Sequence, residues 1–187
     1  MQPTEHDVIG VLIKDHREVE EMFGQLQSGG MSADERETLT QKVITELVRH
    51  SIAEEMYLYP TVRKSVPGGG EIADQEIKEH GEAEKTMKRL EGLKPGDPQF
   101  EQALTTLMTE IRQHVQEEEE QLFPKLAQHV SENDLKELGE KVQQAKKTAP
   151  TRPHPSAPDT PPGNKALGPF AGLVDRMRDA ISGRGKG

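Results

Sequence analysis

Four of the seven histidines in this chain are followed by glutamate four residues later: His16/Glu20, His50/Glu54, His80/Glu84 and His114/Glu118. Positions i and i+4 stack on one helix face, so each pair presents a nitrogen and an oxygen donor on a single stripe. The pairs are themselves repeated, because 34 residues separate His16 from His50 and again His80 from His114. The surrounding text repeats too: HSIAEEMYLYP at 50–60 and HVQEEEEQLFP at 114–124 both read His-x3-Glu-Glu-x2-Leu-aromatic-Pro. Imidazole and carboxylate in this register are metal-binding chemistry. With no cysteine in the chain, disulfides, thiolate zinc sites, iron–sulfur clusters and cysteine nucleophiles are excluded, and any metal is held by nitrogen and oxygen.

The elements that must position these donors read as helices throughout residues 1–147, with no period-two run. Helix A is expected over about 4–27, with Thr4 as N-cap. Ser32 and Glu35 form a capping box for helix B, which reaches about 65. The PGGG turn at 67–70 leads into helix C, about 71–92. After GLKPGDP, Asp97 caps helix D and Pro98 takes its first position, the helix running to about 128. Ser131 starts a short, polar fifth helix through Lys147. Long amphipathic helices joined by short turns predict an all-α, up-down antiparallel four-helix bundle.

On each of the four long helices a histidine falls on the stripe that must be buried. His16 follows Val8 and Leu12; His50, Glu54 and Tyr57 continue Leu39, Val43 and Leu47. His80 and Glu84 continue Ala73 and Ile77, and His114 and Glu118 continue Leu107 and Ile111. Burying several carboxylates is costly unless something compensates them. Four imidazoles supply too little fixed charge, whereas a pair of divalent or trivalent cations supplies enough. Nitrogen and oxygen ligands converging from four helices match a carboxylate-bridged dinuclear site; ligand type alone leaves iron, zinc and manganese open.

With this motif the chain resembles the hemerythrin family, also called the HHE cation-binding domain, over residues about 4–128. The resemblance implies two iron ions (Fe2+/Fe3+), oxo- or hydroxo-bridged, in a hemerythrin-like bundle. His16 and His50 then serve one iron, His80 and His114 the other, and Glu54 and Glu118 bridge. Oxygen-carrying members have a second helix C histidine, which is matched here to Glu84, so Glu84 is expected as a ligand that favours ferric iron and oxidant chemistry. Glu20 is expected either solvated or beside the metal rather than on it, and Tyr57 and Tyr59 are within reach as donors, Tyr57 serving equally well as core filling. Glu55, Glu117, Glu119 and Glu120 are expected as solvated charges, and His6, His129 and His154 as surface residues. The divergent bacterial type of the family suggests a module that binds or senses dioxygen, nitric oxide or reactive oxygen species. A di-iron enzyme decomposing hydrogen peroxide, catalase- or peroxidase-like, is the alternative. Iron storage fits less well, since paired Glu-x-x-His helices are missing.

The remaining composition bounds the partners. The net charge of −9 disfavours nucleic acid, and the longest apolar run is too short to span a bilayer. The N-terminus lacks a signal-peptide pattern, so a cytoplasmic monomer is expected, with a regulatory protein as candidate partner. Residues 1–147 carry −12 and form the expected metal domain. Residues 148–187 carry +3 and seven of the thirteen prolines. They read as a linker followed by a short basic amphipathic helix on Phe170, Leu173, Val174, Met177 and Ile181. This tail is expected to be mobile, weakly docked and dispensable for metal binding.

Overall fold

A computed structural model describes residues 7–182 of the chain. Its helices are α1 (Val8–Ser28), α2 (Ala33–Ala53), α3 (Tyr59–Ser65), α4 (Gly69–Leu90), α5 (Pro98–Glu117), α6 (Phe123–His129), α7 (Glu132–Thr148) and α8 (Gly163–Ser182). Single π-turns, Glu54–Leu58 and Glu118–Leu122, join α2 to α3 and α5 to α6 without a break. The expected helix B is therefore α2–α3 and helix D is α5–α6. No strand occurs among the described residues, and the bundle is all-α. Thr4 lies outside the described residues; Asp7 caps α1, its carboxylate accepting from the Gly10 N–H. The Ser32/Glu35 capping box is formed in both directions. At the α3–α4 turn a Cβ on Gly69 would stand 2.1 Å from the Val62 carbonyl oxygen, so only glycine lets the two helices approach there.

The core has two apolar layers. One gathers Val8, Leu12, Leu58, Tyr59, Val62, Leu122 and Leu126 with Leu135 and Val142 of α7. The other gathers Phe23, Leu26, Val43, Leu47, Met87, Leu90, Phe100, Leu104 and Leu107. Buried His16, His50, Glu54, His80, His114 and Glu118 occupy the level between them. The tail is not a detached appendage. A run of bends and turns carries it to α8, which packs against α7 and the first π-turn. Gly172 allows that approach, since a Cβ there would meet the Thr148 carbonyl oxygen at 2.3 Å. Asp175, fully buried, accepts from the Thr151 and Arg152 N–H groups and pairs with His154. α8 begins earlier than the expected helix; the side chains of Phe170 and Ile181 lie outside the described set, while Leu173 and Met177 are exposed.

Candidate metal centre

The two π-turns have a common cause in the repeated Leu-aromatic-Pro. Pro60 and Pro124 have no N–H to offer the carbonyl four residues back, and their rings press on it. The helix instead closes the wider bond, Tyr59 N–H to Glu54 O and Phe123 N–H to Glu118 O. Such bulges are frequent at functional sites. The widened turn brings the fifth residue, rather than the fourth, round beneath the glutamate. Tyr59 and Phe123 therefore face the polar layer.

Within that layer His16, His50, Glu54 and Glu118 each place a donor atom within 4.8 Å of the others; Glu54, His80 and His114 do the same, and so do Glu76, His114 and Glu118. Glu54 spans both histidine pairs, with Oε1 3.1 Å from His50 Nε2 and Oε2 3.4 Å from His80 Nε2. Glu118 spans them from the other side, with Oε2 3.4 Å from His16 Nε2 and 3.6 Å from His114 Nε2. Every imidazole turns its Nδ1 outward to a carboxylate: His16 to Glu119 at 2.9 Å, His50 to Asp15 at 3.2 Å, His80 to Glu55 at 3.1 Å, and His114 to Glu76 at 2.9 Å and Glu79 at 3.1 Å. A carboxylate there fixes Nδ1 as the N–H and leaves the Nε2 lone pair aimed at the centre, the usual second support of a metal-binding histidine.

This donor set fits cations. His16 Nε2, Glu54 Oε1 and Glu118 Oε2 are buried and make no hydrogen bond, since the neighbours just named meet them at unsuitable angles. His80 Nε2 and His114 Nε2 face each other at 3.1 Å. Two lone pairs at that distance repel unless a positive charge lies beside them, and orphaned buried donors and acceptors are costly.

The electrostatics say the same. Burial alone would lower the pKa of His50, but Glu54 and Asp15 outweigh it and push the value up to about 10. His80 and His114 are also raised against burial, by Glu54 and Glu55 and by Glu118, Glu76 and Glu79 respectively. Burial would raise Glu54, yet His50 and His80 hold it well below the usual carboxylate range. Burial, with Glu118 and Glu54 nearby, pushes the Tyr59 phenol well up, so it stays neutral and keeps its O–H. That hydroxyl lies 3.1 Å from His80 Nε2, 3.2 Å from Glu118 Oε1 and 3.5 Å from Glu54 Oε2.

The structure brings six of the seven expected ligands together and leaves out Glu84. Its carboxylate accepts from the His154 backbone N–H under the tail, at 2.7 Å. The additional helix C carboxylate at the centre is Glu76, one turn before His80 rather than one turn after. Glu20 takes the solvated of its two expected places, in an exposed pair with Arg112 at 2.7 Å. Tyr57 turns away beneath Lys165, and Tyr59 takes the inner place because of the π-turn. Glu55 and Glu119, expected as solvated charges, are instead the Nδ1 partners of His80 and His16. The Glu-Glu doublet in both repeats and the acid preceding His16 and His80 were the signals available for these partners. His154, expected at the surface, is half-buried and paired with Asp175.

A helical bundle with a buried layer of histidine and glutamate defines a metal-binding class. Residues 7–126 match the model of the Hemerythrin HHE cation binding domain, and the chain belongs to that family. It is 32% identical over 174 residues to an uncharacterized hemerythrin-like protein of Schizosaccharomyces pombe, covering 91% of this chain and 84% of the relative. A match of that extent takes in part of the tail as well as the bundle. It is also 28% identical over 137 residues to a DNA nickase of Nostoc, covering 73% of this chain but only 38% of that longer protein. Among solved structures, a hemerythrin HHE cation-binding domain-containing protein from Mycobacterium kansasii superposes with a TM-score of 0.66 at 20% identity, over 75% of this chain and 85% of that one. The likeness is one of fold. No helix among the described residues is long and apolar enough to cross a membrane.

Proposed function

We propose that the polar layer is a dinuclear iron site, with His16 and His50 serving one ion, His80 and His114 the other, and Glu54 and Glu118 shared between them. The observation that carries this reading is that the two oxygens of Glu54 address imidazoles of different pairs, at 3.1 and 3.4 Å. Glu76 adds an oxygen donor on the His114 side only. A pair of irons held there supplies redox chemistry toward small oxidants, and the protein binds or senses dioxygen, nitric oxide or peroxide. The chain's own residues hold the ions, orient the imidazoles through the outer carboxylates, and exclude bulk water with an apolar layer on either side. The reading carries with it a cytoplasmic monomer that reports to a regulatory protein.

A second reading, decomposition of hydrogen peroxide, is favoured by one feature. Tyr59 holds an O–H at the centre of the layer, a fixed hydrogen-bond donor that can orient peroxide and stabilise charge developing on its oxygens. The experiment that separates the two adds peroxide to iron-loaded protein and follows the optical spectrum and dissolved oxygen together. Sustained oxygen release supports the enzyme; a single spectral change without turnover supports the sensor. A protein that takes up no iron in stoichiometric amount contradicts both.

A further inference from the structure

The duplicated halves relate residues 64 apart, so Glu55 corresponds to Glu119 and Gly81 to Arg17. In the first half the Arg17 guanidinium clasps Glu119 with two bonds, of 2.9 and 2.6 Å. In the second half Gly81 has no side chain, and a Cβ built there meets nothing within 4 Å. Over Glu55 there is instead a cavity of about 90 Å³ between α2, α4 and the tail. Its polar lining is acceptor-rich: Glu55, Glu84, Asp159 and Asn164, with Ser51 beside them. His154 also borders it, but its imidazole is engaged with Asp175. Asn164 is only 4% exposed, and its Oδ1 has no hydrogen-bond partner, although its amide nitrogen donates to the Asp159 carbonyl. Val48, Ile52 and Met87 give the cavity an apolar wall.

We propose that this cavity binds a small alkylated guanidinium cation, which takes the place against Glu55 that Arg17 fills against Glu119 in the other half. Carboxylates gathered in a partly enclosed space favour a cation or hydrogen-bond donors, and a planar N–H-bearing cation meets a carboxylate and an amide oxygen together. The apolar wall accepts the alkyl part. The tail is what makes the site, since it contributes Asp159 and Asn164 and closes the side that would otherwise open to solvent.

The test is calorimetric titration of the full-length, metal-loaded protein with methylguanidinium, with tetramethylammonium and urea as controls that lack either N–H donors or charge. One saturable event with a dissociation constant of about 1 mM or tighter is expected for methylguanidinium, and none for the controls. Gly81→Arg should abolish it, by bringing the missing guanidinium on the chain. Asn164→Leu should weaken it at least about fivefold, and amide shifts in the wild-type protein should centre on residues 51–55, 81–84 and 154–164 with metal content unchanged. No saturable binding, equal binding of tetramethylammonium, or shifts elsewhere would overturn the proposal even if Gly81→Arg failed to fold.

Discussion

The two halves of the bundle each give two imidazoles and one shared carboxylate to the layer and differ in what surrounds them. On the first side His16 stacks on Phe123, with ring centroids 5.9 Å apart, and its outer partner Glu119 is clasped by Arg17. On the second side Tyr59 replaces the phenylalanine, Glu76 stands where the first half has Leu12, and glycine replaces the arginine, leaving the tail to cover Glu55. The same contrast is visible in charge. Burial tends to raise Glu119, but Arg17 and His16 hold it below the usual carboxylate range, whereas burial leaves Glu55 raised. Duplication built a symmetric set of donors. The differing residues make one position apolar and self-contained and the other polar, hydroxyl-bearing and tail-covered.

The largest effects should come from removing the groups both halves share. Glu54→Ala or Glu118→Ala takes a donor from both positions, and metal analysis should show the loss of at least one ion of two. Both variants retaining full metal would mean the glutamates are not shared. Withdrawing the metal altogether comes next. Two ions bound well above their dissociation constants stabilise the fold by about 5 kcal/mol, so the melting temperature should fall by roughly 10 °C or more on chelation. The size of that fall depends on pH. His50 has its pKa raised by folding to about 10, so its protonated form stabilises the metal-free fold below about 6.5, and that contribution is lost as pH rises toward the folded value. Metal must displace the same proton, so its affinity climbs over the same interval. The gap between metal-bound and metal-free melting temperatures should therefore widen from pH 6.5 upward; a gap that narrows would mean the histidines are not the groups that metal and proton share.

Smaller changes probe the difference itself. Tyr59→Phe makes the second half like the first: two ions should remain, stability should drop by about 1–2 kcal/mol from the lost buried hydrogen bonds, and the peroxide response should slow. Phe123→Tyr, the reverse change, should not compensate, because it places the hydroxyl beside His16. A chain ending at Lys147 should still bind two ions, since every donor precedes that point, but a chelator should strip the His80 position several-fold faster than in the full chain. Equal rates would show that the tail does not seal that side.

These contrasts also mark how far the sequence could be read. Histidine spacing and the apolar stripes located all four imidazoles, Glu54 and Glu118, because i, i+4 stacking holds along a regular helix. That logic fails where the helix is irregular. A π-turn rotates the residues after it, so Tyr59 faces inward and Tyr57 outward, and only the proline six residues after Glu54 and Glu118 signalled it. Glu76 escaped notice because the i, i+4 pattern runs from each histidine toward the C-terminus, while helix C supplies its extra carboxylate from the preceding turn. Glu84 looked like a ligand by repeat position, but its fate is set by the tail, whose docking depends on a buried Asp175 and a close-packed Gly172 that no local pattern reveals.

Two metal positions sharing Glu54 and Glu118 are the central claim, and crystals of the iron-loaded protein measured at the iron absorption edge test it directly. Two anomalous peaks are predicted, one among His16, His50, Glu54 and Glu118 and one among His80, His114, Glu54, Glu118 and Glu76. A single peak, or peaks away from these residues, would contradict it.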